Sequence, residues 1–242
     1  MRRILNRLKN IYIKQAFTPS FMGIFINPAY FVRDGRYKKI LSNKKYLKGK
    51  LLDFGCGKKP YSELFDVNEY VGLDIKKSGH SHDDEQIDIF YNGKTIPFNN
   101  NYFDSIFSSE VFEHIFNLDE IIKELYRVIK PGGYMLITLP FVWEEHEAPY
   151  DFARYTQFGI RYLLKKGGFK IIKIEQTTNY IETIFQMWNI YVYQNLIPNN
   201  RFAKLFLTPI LIAPITVLGM TLSKLLPIDK KFYHNNIILV KK

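Results

Sequence analysis

The chain has 242 residues, 47% hydrophobic and 24% charged. That suits one α/β domain with an elaboration and excludes a disordered tail, a collagen-like fibre and an acidic solvating chain. The lone cysteine, Cys56, excludes an internal disulfide, and the net charge of +11 is concentrated at one end: residues 1–50 hold 13 Lys/Arg against the single acid Asp34, while the remaining 192 residues sum to −1.

Within MRRILNRLKNIYIK, Ile4, Leu5, Leu8, Ile11 and Tyr12 share one helical face, with Arg2, Arg3, Arg7, Lys9 and Lys14 around it. This predicts a short basic amphipathic helix, suited to phosphate or an anionic membrane surface, or else docked on the domain by its apolar stripe. The segment lacks the apolar run of about 7 residues that a signal peptide needs.

From Lys50 onward, apolar runs of strand length alternate with helix-period segments, which predicts a parallel sheet with helices on its faces. The strands expected are Leu51 to Phe54, Tyr70 to Asp74, Ser105 to Ser108, Tyr134 to Leu139, Phe169 to Glu175 and Asn236 to Val240. Leu118, Ile121, Ile122, Leu125, Val128 and Ile129 repeat at helical spacing, with Asp119 and Glu120 in the first turn, Lys130 in the last and Pro131-Gly132-Gly133 as the stop. A second helix is expected from the N-cap Thr156 to the terminating Gly167.

Residues 180–226 break the pattern. Between Lys204 and Lys224 lie 19 residues without a charge, close to the roughly 20 that span a bilayer. Pro209, Pro214 and Gly219 argue against a single straight helix, and a sheet strand beyond the segment requires the chain to return to the side it left. Helices lying in the membrane interface or re-entering it are therefore expected, the alternative being an insertion packed on the domain or in a dimer interface.

The string most informative for chemistry is LLDFGCGKKP, residues 51–60. A buried strand ends at Asp53-Phe54, and Gly55 and Gly57 let the backbone turn and approach a ligand. A dinucleotide fingerprint would place glycine where Pro60 stands, so a ligand with an adenosine and no phosphate fits better. Asp74, with Ile75 after it, ends the next strand where an acid can accept both ribose hydroxyls. Asp88, between Ile87 and Ile89, has the arrangement of an adenine site, and Ser108, Ser109 and Glu110 stand at the carboxyl end of a fourth strand.

These motifs, LLDFGCG, YVGLDI, Ile87-Asp88, FDSIFSSEVFEHI and the helix-PGG-strand run ending in GYMLITLP, resemble those of class I S-adenosylmethionine-dependent methyltransferases over roughly residues 48–175. The resemblance implies a Rossmann-like α/β fold: a seven-stranded sheet with its last strand antiparallel and helices on both faces. The divisions expected are a basic helical extension (1–47), the methyltransferase core (48–179), an apolar helical insertion (180–226) and a terminal strand (227–242). S-adenosylmethionine is the implied cofactor, with Asp53, Gly55, Cys56, Gly57, Asp74, Ile75, Asp88, Ile89, Ser109 and Glu110 around it. Two flanks, NPAYFVRDGRYKKI and HEAPYDFARYTQFGIRYLL, are similar to methyltransferases of polysaccharide and lipid-linked glycan biosynthesis.

A hydroxyl acceptor needs a base. The loop FVWEEHEAPYDFARYT leaves the sheet edge beside the cofactor crevice, and His146 is the expected base, with Asp151 and Arg154 orienting loop or acceptor. The alternative is that His146 and Arg154 pair with Glu144, Glu145 or Asp151 to order a lid. His114, after the fourth strand, is expected to line the crevice. No metal is expected, since His80, His82, Asp83 and Asp84 match no closed zinc pattern. The activity expected is O-methylation of a membrane-associated acceptor such as a lipid-linked sugar, by a cytoplasmic protein peripheral on the inner face of an anionic membrane. The alternatives are RNA or quinone methylation, or an adenosyl-ligand binding protein without turnover.

Overall fold

The computed structural model describes residues 14–76 and 86–242. The N-terminal basic stripe from Arg2 to Tyr12 and the cluster His80, His82, Asp83 and Asp84 lie outside the described residues. The chain divides into two compact units, one of residues up to Lys39 with Gln176–His234, the other of Ile40–Glu175 with Asn235–Lys242.

The second unit is built on seven strands: β1 (Lys50–Phe54), β2 (Glu69–Ile75), β3 (Ile89–Tyr91), β4 (Phe103–Ser109), β5 (Ile129–Pro140), β6 (Lys170–Gln176) and β7 (Asn235–Lys241), in the order β3-β2-β1-β4-β5-β7-β6. Neighbours among β1 to β5 pair in parallel, and β7 pairs with β5 antiparallel, Ile137 opposite Ile238. β1 and β4 are buried along nearly their whole length because both faces of the sheet are covered. The chain leaves β1 toward β2 on one side and comes back to β4 on the other, which opens a crevice at the carboxyl ends of those strands.

Of the helices of this unit, α3 (Leu118–Val128) buries the predicted stripe Leu118, Ile121, Ile122, Leu125 and Val128, each fully buried side chain contributing about 1.5–3 kcal/mol. It ends sooner than its periodicity suggests. Ile129 already pairs with Phe103, so the last turn carries Arg127 and not Lys130, and Pro131-Gly132-Gly133 lies inside β5 at a register shift. The sheet claims Ile129, and Pro131 disfavours helical backbone at the residue before it. Helix α4 (Gln157–Lys166) is capped by Thr156, whose side chain accepts the Gly159 N–H, and it closes at Gly167.

The first unit contains α1 (Gly23–Ile26), most of α2 (Tyr30–Asn43), α5 (Tyr180–Tyr191) and α6 (Arg201–Leu225), with a π turn at Val192–Leu196. Helix α6 is continuous through Pro209 and Pro214, where breaks were expected. Its buried threonines brace it: Thr216 donates to the Ile212 carbonyl and accepts from Asn189 of α5 at 2.8 Å, and Gly219 leaves room for the Phe185 ring. The Gln186 side chain of α5 accepts the Phe31 N–H and donates to the Pro28 carbonyl, fastening the start of α2.

Candidate active site

The crevice is a cavity of about 270 Å³ at the ends of β1, β2 and β4. Its floor is the turn after β1. The Gly55 N–H reaches across to the Leu73 carbonyl, and Gly55 and Gly57 hold φ of 74° and 45°, which glycine adopts without cost. A Cβ on Gly55 would overlap Val111. The Asp74 carboxylate accepts the Gly57 N–H at 2.9 Å and its own Ile75 N–H at 2.7 Å, so the acid at the end of β2 also fixes the turn.

Glu110, just past β4, is held in left-handed backbone at φ 57°. Its N–H bonds the Thr138 carbonyl, while its two carboxylate oxygens accept the Thr138 hydroxyl at 2.7 Å and the Asn235 side chain at 2.8 Å. These bonds hold the residue in a conformation that a non-glycine residue adopts only at a cost. Aromatic rings also line the cavity: Phe54, Tyr91, Phe116, Tyr150 and Phe152, and Phe116 meets Phe152 edge to face at 5.5 Å with 85% of Phe116 exposed.

Gly55, Gly57, Asp74, Ile75 and Glu110 thus come together on the cavity wall, and the other five predicted cofactor residues are not among the residues that line it. Asp53 is buried and accepts the Tyr70 hydroxyl at 2.5 Å. Burial drives its carboxyl up to about 7 against the hydrogen bond from Tyr70, and repulsion from Asp74 adds to the rise. Cys56 is buried, its thiol pushed up by desolvation and then by Asp53. Asp88 pairs with Lys59 at 2.5 Å and accepts the Gly72 N–H at 2.6 Å. Burial pushes the Asp88 carboxyl up, but those bonds outweigh it and hold it below the usual range. Ile89 opens β3 and packs on the core, and Ser109 hydrogen-bonds Thr138 at 2.8 Å.

The loop after β5 delivers Glu147 and Tyr150 to the cavity. Asp151 and Arg154 form a bidentate pair at 2.5 and 2.7 Å, and the Arg154 hydrogen bonds hold the Asp151 carboxyl down at about 2. His146 is tied into the same knot: its N–H bonds Asp151 at 3.0 Å and its Nδ1 lies 3.2 Å from the Glu144 carbonyl. It is not on the cavity wall; its ring meets that of His114 edge to face at 4.8 Å. His114 is on the wall, with Nδ1 at 2.8 Å from the Tyr150 carbonyl and Nε2 at 3.7 Å from Glu113 and 3.9 Å from Glu147. Glu113, His114 and His146 gather potential metal-ligating atoms within 4.8 Å, a grouping hidden in the sequence because His114 and His146 come from different loops.

The strand order, the single antiparallel strand and the crevice at the switch point define a Rossmann-like methyltransferase fold. Residues 52–137 match the family model described as a methyltransferase domain, and S-adenosylmethionine is the cofactor that this match and the fold support. Over 127 residues the chain is 35% identical to the mitochondrial ubiquinone biosynthesis O-methyltransferase of Rattus norvegicus, covering 45% of this chain and 36% of that protein. The chain thus spans little more than a third of that relative. Among solved structures it resembles the 4+2 cyclase SpnF, with a TM-score of 0.55 and 17% identity over 88% of this chain and 83% of that one. It also resembles phosphoethanolamine N-methyltransferase 2 of Haemonchus contortus in complex with S-adenosyl-L-methionine, with a TM-score of 0.53 and 18% identity over 95% of this chain and 59% of that one. At such identities the likeness is one of fold, and a fold does not name an acceptor.

Proposed function

We propose that this protein transfers the methyl group of S-adenosylmethionine to a hydroxyl of a lipid-borne acceptor, a lipid-linked sugar in the first instance. The observation that carries this reading is the mixed lining of one cavity: the glycine turn with the acids Asp74 and Glu110, together with aromatic rings and His114. The glycine turn and Asp74 suit an adenosyl cofactor, since the backbone can approach it closely and the carboxylate can accept from ribose hydroxyls. The exposed edge-to-face pair Phe116 and Phe152 suits a sugar ring or an apolar chain at the mouth.

When bound, the cofactor supplies an electrophilic methyl on a sulfonium. The chain's own work is to hold the acceptor oxygen in line about 3–3.5 Å from that carbon and to take its proton. His114 is the residue placed to do so. With Nδ1–H donating to the Tyr150 carbonyl, Nε2 carries the lone pair, and Glu113 and Glu147 beside it stabilise the imidazolium that forms. His146, expected from the sequence as the base, stands behind His114 and with Asp151 and Arg154 orders the loop that brings Tyr150 and Glu147 to the cavity.

A quinone-ring hydroxyl is the second reading, favoured by the likeness to the rat ubiquinone O-methyltransferase. Incubation with methyl-labelled S-adenosylmethionine and fractionated host extract separates the two. Label in a glycolipid fraction, lost in His114→Gln by about 100-fold with cofactor affinity kept, is the expected result. Label in quinone moves the acceptor to the second reading; label in RNA or protein alone overturns both.

A further inference from the structure

Helices α5 and α6 are packed inside out. The buried residues of α5 are Thr183, Gln186 and Asn189, each 0% exposed, with Ile190 beside them, whereas Ile184, Trp188 and Tyr191 on the same helix are about half exposed. In α6 the buried positions include Thr208, Ala213, Thr216, Gly219 and Ser223, and the exposed ones are Phe202, Leu205, Phe206, Ile210, Val217, Leu218 and Leu225. A helix in water shows the reverse pattern. Small and hydroxylated residues between helices, with large apolar residues outward, is the packing of helices whose surroundings are hydrocarbon.

The charge partition points the same way. Among the described residues of the unit that carries these helices, 14–39 and 176–234, there are 10 Lys/Arg against 3 Asp/Glu, whereas the other unit has 20 of each in its sequence. Basic residues stand beyond both ends of the apolar stretch: Arg201 and Lys204 at one, Lys224, Lys230 and Lys231 at the other.

Length alone would allow α6 to cross a bilayer: it is 25 residues with a mean hydropathy of 2.1 over its apolar window. Two features argue for the plane instead. The turn before α6, with Asn199, Asn200, Arg201 and Lys204, would have to sit in or beyond the hydrocarbon of any spanning or re-entrant hairpin. The chain also enters from β6 and leaves into β7 of one sheet, so both ends of the segment lie on one side.

We infer that the unit built on α5 and α6 is a monotopic anchor that lies in the headgroup region of an anionic bilayer, apolar side chains down and basic residues among the lipid phosphates. The anchor itself is independent of the acceptor assigned above, although it rests with that reading on a lipid-borne substrate for its purpose.

The test is flotation of the full-length protein with vesicles of phosphatidylcholine alone and of phosphatidylcholine mixed with phosphatidylglycerol. Association with the mixed vesicles is expected, weakened as salt rises from about 0.05 to 0.5 M. The triple variant Phe202→Ser, Phe206→Ser, Ile210→Ser removes only exposed side chains and should lower the partition at least about tenfold with cofactor binding intact. In a Trp143→Phe background, Trp188 fluorescence should shift to the blue on binding and be quenched by lipids brominated near the headgroup more than at the chain end. No association with either vesicle, or a stable dimer in sedimentation that the triple variant dissolves while vesicle binding is absent, would overturn the anchor. Strongest quenching at the chain ends would overturn the in-plane placement. None of these readouts requires turnover, so a wrong acceptor and a wrong anchor give different results.

Discussion

The Tyr70 hydroxyl donates to the Asp53 carboxylate at 2.5 Å, tying the end of β1 to β2 directly beneath the glycine turn. Asp53 is buried and its carboxyl is raised to about 7, from about 3.9 in an unfolded chain. The folded state therefore binds a proton that the unfolded state has released, and the stability this group contributes is full below pH about 4 and lost as pH rises through 7. Asp53→Asn keeps an acceptor for Tyr70 and cannot ionise. Its urea midpoint should gain on the wild type as pH rises from 5 to 8; a constant difference would show that Asp53 does not titrate in that range.

Asp74 bonds the Gly57 N–H and lines the cavity, so it shapes the turn as well as meeting the ligand. Asp74→Ala should cut S-adenosylmethionine affinity roughly 10 to 100-fold, from the loss of charge-assisted bonds worth about 1.5–3 kcal/mol. Titration calorimetry measures it, and unchanged affinity would remove the ribose assignment.

Gly55→Ala meets two obstacles, a φ of 74° and the Val111 side chain. Cofactor binding should be lost or reduced by at least about tenfold, the backbone strain alone costing about 1–2 kcal/mol. Adding Val111→Ala removes the overlap and leaves the dihedral, so the double variant should recover part of the affinity. Full recovery would mean that the dihedral carries no cost.

Arg154→Met strands the Asp151 carboxylate that its guanidinium holds at about 2. The expected loss is about 1–3 kcal/mol of stability near neutral pH, with faster proteolysis between Trp143 and Thr156 and cofactor affinity unchanged. The pair is intact only while Asp151 is ionised, so the difference from wild type should shrink as pH falls from about 4 toward 2. A difference that grows in acid would contradict the pairing.

The parts of the site set by backbone were legible in the sequence. Gly55, Gly57, Asp74 and Glu110 stand at strand ends, and the order of apolar runs fixes where those ends converge. Side-chain pairing was not legible. Lys59 reaches Asp88 from 29 residues earlier, out of a turn in which it holds φ 48°, and spacing carries no trace of that contact. His114 lines the cavity and His146 does not, because the loop after β5 folds on Asp151 and Arg154, a pairing the sequence offered only as one of two alternatives. The strand Ile89–Tyr91 is three residues long, too short for an alternating pattern. Helix α6 ran through its prolines because Thr216 and the neighbouring α5 brace it. Apolar periodicity also assumes that the apolar residues are the hidden ones, and in α5 Thr183, Gln186 and Asn189 are hidden while Ile184, Trp188 and Tyr191 are exposed.

The position of β7 between β5 and β6 has a consequence for how the protein is made. β6 is joined to the rest of the sheet only through β7, which is synthesised after residues 177–234. During translation, then, β6 waits beside an unfinished edge while the whole helical segment emerges, and β5 keeps an open row of backbone donors and acceptors. Closure of the sheet is a late, long-range event on a chain whose apolar helical segment has already emerged, so the interval before β7 arrives is the one in which both an unpaired strand edge and apolar helices are open to other contacts.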